Sequence, residues 1–185
     1  LLTEVGSYTV PAAWAKSVQE RMEQWWSTRA EYLDSSVVFD QSTLPDSEPT
    51  DAILTQAQLI GLMQETSREG DTIITAAGGP PGDLQKAWDA TNGRHCHLEF
   101  GFSCMGYEVP AAMGVRWATP DQSTRVLSFV GDGTFVMAPT ELVTACQENL
   151  RLTIVISENH GYQVIRRLQM WRTGAHFGNE FRYRQ

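Results

Sequence analysis

An α/β fold, with a parallel sheet covered by helices on both faces and an N-terminal helical arm, is the fold class this 185-residue sequence predicts. Three observations predict it. From Asp71 onward, short apolar runs alternate with helical stretches. Four of those runs close in turns, most of them rich in glycine, which is how strands of βαβ units end. The residues with chemical capability sit at those ends, where ligands bind in sheets of this kind.

In chain order, Pro11 to Tyr32 reads as a helix. Trp14, Val18, Met22 and Trp25 recur at steps of three and four, while Lys16, Gln19, Glu23 and Arg29 occupy positions outside that stripe. Pro11 suits the first turn, where its missing N–H costs nothing. The stripe is expected to be a packing face, which makes this segment an arm laid on a domain surface. "DSSVVFDQSTLPDSEPTDAIL" is polar, acidic and broken by Pro45 and Pro49, so it reads as a linker, and a helical pattern restarts through Leu59, Leu62 and Met63. Residues 1–50 are thus expected to be arm and linker from a preceding domain, and 51–185 a single sheet domain.

Within that domain "TIITAAGG" reads as a buried strand ending in glycines, "CHLEFGF" as a second, "VLSFVGDG" as a third and "TIVISENHG" as a fourth. Helical stretches are expected to begin near Gly82, Met105 and Pro139. Apolar strands separated by helices imply right-handed crossovers and parallel pairing.

A net charge of −8 and a pI near 4.9 exclude a nucleic-acid groove, which needs a basic face to displace counterions. The partner is expected to be a small molecule or another protein chain. Cys96, Cys104 and Cys146 are odd in number and lack CxxC spacing, which suggests neither a disulfide framework nor zinc; buried thiols in a reducing cytoplasm are expected. No apolar run approaches the roughly 18 residues that span a bilayer, so no membrane partner is expected. The chain opens on Leu1, not Met, and reads as a piece of a longer protein.

The strongest chemical signal lies at the third and fourth strand ends. Asp132 follows an apolar strand and is flanked by Gly131 and Gly133, so its carboxylate sits where the backbone can approach a ligand closely. Asn159, followed by His160 and Gly161, comes 27 residues later at the end of the next strand. One strand-helix-strand crossover takes about 30 residues, so adjacent parallel strands would set the two tips side by side. A carboxylate, a side-chain amide and a main-chain carbonyl are hard oxygen ligands suited to Mg2+, which characteristically completes its shell with phosphate and water. The amides of Gly133 and Thr134, with a helix near Pro139, supply donors for a diphosphate. Two ordinary tight turns would carry the same triplets. A nicotinamide-dinucleotide fingerprint is absent, because Val136 stands where its third glycine would be.

"GDGTF" followed one crossover later by "ENHG" resembles the thiamine diphosphate-dependent enzymes. The resemblance implies the thiamine diphosphate-binding fold, with Asp132, Asn159 and the carbonyl of Gly161 on Mg2+, and with Gly131, Gly133 and Thr134 at the cofactor's diphosphate. "FSCMGYEVPAAMGV" is similar to the preceding motif of that family. It implies that Met105 props the cofactor into its bent shape and that the main chain at Ser103 and Met105 holds the aminopyrimidine. The bend brings the pyrimidine's exocyclic amine beside the thiazolium carbon that must lose its proton. "AAGGPPGDL" occupies the place of the loop over the diphosphate, with Gly78 and Gly79 as candidates.

Three stretches, "AAGGPPGDLQKAWDA", "CHLEFGFSCMGYEVP" and "FGNEFRYR", resemble one branch of the family, the hydrolases that open a cyclic 1,2-diketone to 5-deoxyglucuronate in myo-inositol catabolism. An acetolactate synthase-like 2-oxo acid lyase, or a noncatalytic diphosphate-binding module, is the alternative. His97 and Glu99 are candidates for the substrate's hydroxyls, with a core histidine as the other reading of His97. His160 is a candidate for proton transfer, or for orienting its loop. The five arginines from Arg166 to Arg184 read as a solvated or interdomain surface. The family's activating glutamate resides on a separate pyrimidine-binding domain across a subunit interface, and Glu99, Glu108 and Glu141 all fall in the diphosphate-binding half. The chain is therefore expected to be the truncated C-terminal part of a homo-oligomeric enzyme, inactive without a pyrimidine-binding domain from its own chain or another subunit.

Overall fold

The computed structural model describes residues 9–34, 54–119 and 121–181. Nearly all of the stretch read as a linker lies outside the described residues, as do Arg182 and Arg184. Four strands, β1 (Thr72–Thr75), β2 (His95–Leu98), β3 (Val126–Gly131) and β4 (Thr153–Ser157), form one parallel sheet in the order β2-β1-β3-β4. Helices α1 (Ala12–Leu33) and α2 (Gln56–Thr66) precede it. The crossovers are α3 (Pro80–Ala87), α4 (Glu108–Ala118), and the pair α5 (Asp132–Phe135) and α6 (Glu141–Gln147); α7 (Gln163–Thr173) follows β4.

Alternating residues send the sheet's apolar atoms to two cores. Ile73, Leu127 and Phe129 pack with Ile60 and Met63 of α2 and with Leu84 and Ala87 of α3 on one face. Ile74 and Val126 pack with Ala112 of α4 on the other, where Val109 and Met113 also meet Ala145 of α6. Helices therefore cover both faces, as expected, and β3, between two neighbours, is buried at all six positions.

Several boundaries differ from the sequence reading. α3 begins at Pro80, because two prolines occupy its first positions where no N–H is needed. α4 begins at Glu108 after a turn at Met105–Gly106, and α6 begins at Glu141. β2 is an edge strand with its first three residues exposed, not a buried strand, because no strand pairs with it beyond β1 among the described residues. The three cysteines are free and exposed instead of buried. On α1, Trp14 and Met22 are 60% and 53% exposed, and the helix docks through its C-terminal half. Trp25 Nε1 donates to the carbonyl of Lys86 at 2.9 Å, Arg29 Nε to that of Ala87 at 2.7 Å, and Leu33 packs against the first core. Arg29 belongs to the docking face because its guanidinium reaches the unsatisfied carbonyls ending α3.

At the amino end of the sheet Asp71, 1% exposed, accepts from the N–H of Arg125 at 2.7 Å, the N–H of Arg68 at 2.9 Å and the Arg125 guanidinium at 2.7 and 2.9 Å. Burial pushes its pKa up, but those backbone donors and the guanidinium outweigh it and hold it below the ordinary 3.8. A depressed carboxyl contributes stability above its unfolded pKa and loses it as pH falls through the folded one. Asp71→Asn is expected to cost about 3 kcal/mol at pH 7, a deficit that shrinks below about pH 4. Urea unfolding of both proteins across pH 3–7 measures this, and a deficit independent of pH would contradict it.

Candidate functional site

Strand order decides where the site lies. The chain runs from β1 outward to β2, crosses back over β1 to β3, and continues to β4 on the other side. The connections after β1 and β3 therefore leave in opposite directions and open a crevice at the carboxyl ends of the strands. Asp132 follows β3 directly, and Gly78 and Gly79 follow β1.

Asp132 is 6% exposed, and its Oδ2 accepts the N–H of Gly161 at 2.7 Å. Its other oxygen faces the Asn159 amide. In one orientation that amide's NH2 donates to Gly161 O at 2.8 Å and to Asp132 Oδ1 at 3.2 Å; turned over, its oxygen takes the same place beside both of those oxygens. Bare oxygens at those separations repel unless a cation lies between them. An octahedral Mg2+ with ligands at about 2.0–2.1 Å has ligand-to-ligand edges of about 2.9 Å, and the separations from the Asn159 amide to Gly161 O and to Asp132 Oδ1, 2.8 and 3.2 Å, are close to that edge. Among the described residues no group of three or more His, Cys, Asp or Glu is placed to hold a metal. The candidate donor set is one carboxylate, one amide and one carbonyl, hard oxygens that would fit Mg2+ better than zinc.

The Gly-Asp-Gly segment is not a plain loop, because Asp132 begins the short helix α5 instead of waiting for a helix near Pro139. Gly133 and Thr134 consequently present first-turn amides, which have no intrahelical acceptor. Thr134 is 5% exposed. A Cβ on Gly133 would come within 2.8 Å of the Tyr162 ring, so this glycine lets Tyr162 close over the turn. Gly131 differs: it is buried, yet a Cβ there would meet nothing within 4 Å. The chain's own atoms do not demand glycine at that position, which fits close approach by a ligand.

Gly78 holds φ +83°, and Gly79 caps α3. Gln56 sits beside Gly79, donating from Nε2 to Asp83 Oδ2 at 2.7 Å and accepting from Ser157 Oγ at 2.8 Å, which ties α2, α3 and the tip of β4 together. Beyond β2, Ser103 adopts φ +53°, an uncommon conformation for a residue with a side chain. Glu99 stabilises it: its two carboxylate oxygens accept the N–H groups of Phe102 at 3.0 Å and Cys104 at 2.8 Å, and these donors lower its pKa. Both oxygens of this candidate substrate contact are thus engaged in bracing the Ser103 loop. Met105, half-buried, lines an open groove of about 340 Å3 with Met137, Tyr162, Ile165, Phe177 and Asn179. Asn179 O accepts the Tyr162 N–H at 2.7 Å, which connects the groove to the Asp132–Gly161 pair. A second cavity, of about 390 Å3 between Arg116, Glu148 and Arg151, lies at the amino ends of the strands, away from this chemistry.

The two candidate histidines are not brought together. His97 is on edge strand β2 and His160 beyond β4, three strand spacings or about 14 Å across the sheet. His97 is exposed, which removes the core-histidine reading, and its Nε2 lies 2.9 Å from Tyr107 Oη. His160 is half-exposed at φ +62°, with Nδ1 3.6 Å from Glu158 Oε1. Arg166 pairs with Glu180 at 2.8 Å. Sequence reasoning missed Gln56, Tyr162 and Asn179, which carry no spacing signal, and Glu108, whose only signal was a lone acid in the apolar run "YEVPAAM".

Comparison with known proteins follows the same geometry. Residues 76–183 match the family described as thiamine pyrophosphate enzyme, C-terminal TPP binding domain. Over 190 aligned positions the chain is 38% identical to 3D-(3,5/4)-trihydroxycyclohexane-1,2-dione hydrolase 2 of Bacillus cereus (strain ZK / E33L), an alignment covering 96% of this chain and 28% of that protein. The similarly named hydrolase of Bacillus thuringiensis (strain Al Hakam) matches at 38% with the same coverage. The chain thus spans about 28% of the length of these curated relatives. Among solved structures, the thiamine diphosphate-dependent 4-hydroxybenzoylformate decarboxylase of Rhodococcus jostii RHA1 superposes with a TM-score of 0.61 at 24% identity, covering 77% of this chain and 27% of that one, a likeness of fold.

Proposed function

The chain belongs to the thiamine diphosphate enzymes through their C-terminal cofactor-binding domain, and from that premise we propose that it is the cofactor- and Mg2+-binding part of a hydrolase that cleaves a C–C bond of a cyclic 1,2-diketone. The observation carrying the Mg2+ site is the convergence of Asp132 Oδ1, the Asn159 amide and Gly161 O. The substrate class rests on the 38% identity to hydrolases named for trihydroxycyclohexane-1,2-dione. Ring opening to 5-deoxyglucuronate in myo-inositol catabolism is the corresponding reaction.

Thiamine diphosphate, when bound, supplies a nucleophilic carbon and an electron sink for C–C cleavage. The chain's residues bind and orient. Asp132, Asn159 and Gly161 O would hold Mg2+, and the first-turn amides of Gly133 and Thr134 would donate to the diphosphate, whose charge the metal would offset. Gly131 admits it closely, and Gly78 and Gly79 close over it. Met105, flexible and polarizable, fills the space between the two rings, and the main chain at Ser103 and Met105 holds the pyrimidine. His97, steadied by Tyr107, contacts substrate hydroxyls. His160, with Nδ1 3.6 Å from Glu158 Oε1, exchanges a proton with water at the edge of the site.

A pyrimidine-binding domain bearing the activating glutamate comes from elsewhere in the protein or from a second subunit, in a cytoplasmic homo-oligomer. Residues 1–50 act as arm and linker from a preceding domain, and 51–185 as the cofactor-binding part. Calorimetric titration of thiamine diphosphate is expected to show binding at least about tenfold tighter with Mg2+ than with chelator; equal binding would remove the metal site. Turnover of the cyclic dione with release of acid, only when the pyrimidine-binding domain is present, is the expected activity. Consumption of a 2-oxo acid without dione hydrolysis would make it a lyase instead.

A further inference from the structure

Glu108 is the most completely buried carboxyl among the described residues, at 0% exposure, and it has no cation beside it. Asp71 shows the contrast, being equally inaccessible but clamped by Arg125. Glu108 Oε1 accepts the N–H of Ala77 at 2.9 Å, while Oε2 is buried without a hydrogen-bond partner. The groups acting on the carboxyl are backbone amides, those of Ala77, Ala76, Gly106 and Glu108 itself. Ala76 and Ala77 form the turn after β1 and lead into Gly78 at φ +83°. Gly106, at φ +90°, belongs to the turn after β2 that carries Met105. Glu108 follows that second turn by two residues, so its bond to the Ala77 N–H joins two turns that leave neighbouring strands.

We propose that Glu108 is a positioning residue that locks the turn after β1 to the methionine–glycine turn after β2, so that the diphosphate and pyrimidine halves of the cofactor are held at one fixed separation. This rests on the cofactor reading above, in which Gly78 and Gly79 face one half and Ser103 and Met105 the other. A buried carboxyl without a cation is costly, and for packing alone an apolar residue of similar volume would serve better. What it offers is an acceptor for an otherwise buried N–H in a turn with no strand partner. Burial raises the Glu108 pKa, because an ionised carboxyl loses its hydration there. With the bracket in place the separation of the two turns is set during folding, so the cofactor does not have to order them on binding.

A ligand with both halves should feel this bracket, and a ligand with one half should not. Calorimetry on the intact enzyme with Mg2+ compares thiamine diphosphate with inorganic diphosphate. Glu108→Ala is expected to weaken thiamine diphosphate about tenfold while changing inorganic diphosphate less than about twofold. Glu108→Gln, whose amide oxygen still accepts the Ala77 N–H, is expected to restore thiamine diphosphate affinity to within about threefold of wild type. Should the alanine variant not unfold cooperatively, Glu108→Met, which fills the volume without a strong acceptor, takes its place. Unchanged thiamine diphosphate affinity, an equal loss for both ligands, or failure of the glutamine variant to rescue would overturn the proposal. Wild type that binds no thiamine diphosphate would instead sink the cofactor reading itself, and this inference with it.

Discussion

Asp132→Asn is expected to leave the chain folded and to remove Mg2+-dependent binding of thiamine diphosphate, with affinity falling by about 100-fold or more. The geometry separates two duties of this residue. Oδ2 accepts the Gly161 N–H at 2.7 Å, a bond that the amide oxygen of asparagine can still make. Oδ1 faces the Asn159 amide, and there the negative charge matters, because this candidate shell contains one carboxylate and two neutral oxygens. Outer partners of metal ligands already account for about 10–100-fold in affinity, so loss of the only charged ligand should exceed that. Asp132→Ala should match asparagine in metal loss and add destabilisation, because the buried Gly161 N–H is then left without its acceptor. Calorimetric titration of Mg2+ and cofactor, paired with thermal unfolding, measures both. Wild-type affinity in the asparagine variant would mean that the three oxygens do not hold a cation.

Gly161→Ala is expected to lower stability by about 3 kcal/mol, a fall in Tm of roughly 6–12 °C for a chain of this size. Gly161 sits at φ +116°, and a Cβ there would lie 2.3 Å from Asn179 O and 3.1 Å from the Phe181 N. Those are backbone atoms, so no rotamer change relieves the contact. The same atoms carry the bonds pinning the loop, Tyr162 N–H to Asn179 O at 2.7 Å and Phe181 N–H to His160 O at 2.9 Å. Either the 179–181 segment is pushed off, or Gly161 O moves away from the Asn159 amide, so cofactor affinity should fall along with stability. Gly131→Ala is the control: with nothing within 4 Å of the new Cβ, it should unfold like wild type yet bind cofactor more weakly. A Gly161→Ala protein as stable as wild type would show that the segment yields easily.

Legibility in the sequence followed the range of each interaction. β3 was readable because a fully buried strand such as "VLSFVG" is a nearly continuous apolar run whatever it packs against. Asp132 and Asn159 were readable because one crossover separates them, a distance the chain itself measures. The arm was readable as a helix, but its docking face was not. Arg29 joins the contact through the end of α3, while Trp14 and Met22 of the same apolar stripe stay exposed. Cys96, Cys104 and Cys146 were misjudged because burial depends on which elements lie nearby, and Cys96 rides on an edge strand. Glu99 was read as a residue for substrate, and residue type did not reveal that each of its oxygens also accepts an N–H of its own loop.

The sequence by itself determined the fold class, the family, and that a carboxylate and an amide would end successive strands, since each follows from local pattern and short spacing. Only the tertiary structure decided that strand order reverses between β1 and β3, that Gly161 turns its N–H to Asp132 and its carbonyl to the Asn159 amide, and that Glu108 reaches across to Ala77. The reason is physical. Strand order, the pinning of Gly161 by residues 179–181, and the bond between residues 77 and 108 come from contacts between segments far apart along the chain. Such contacts form when burial and backbone hydrogen bonding are satisfied together, and no single stretch of residues contains that condition.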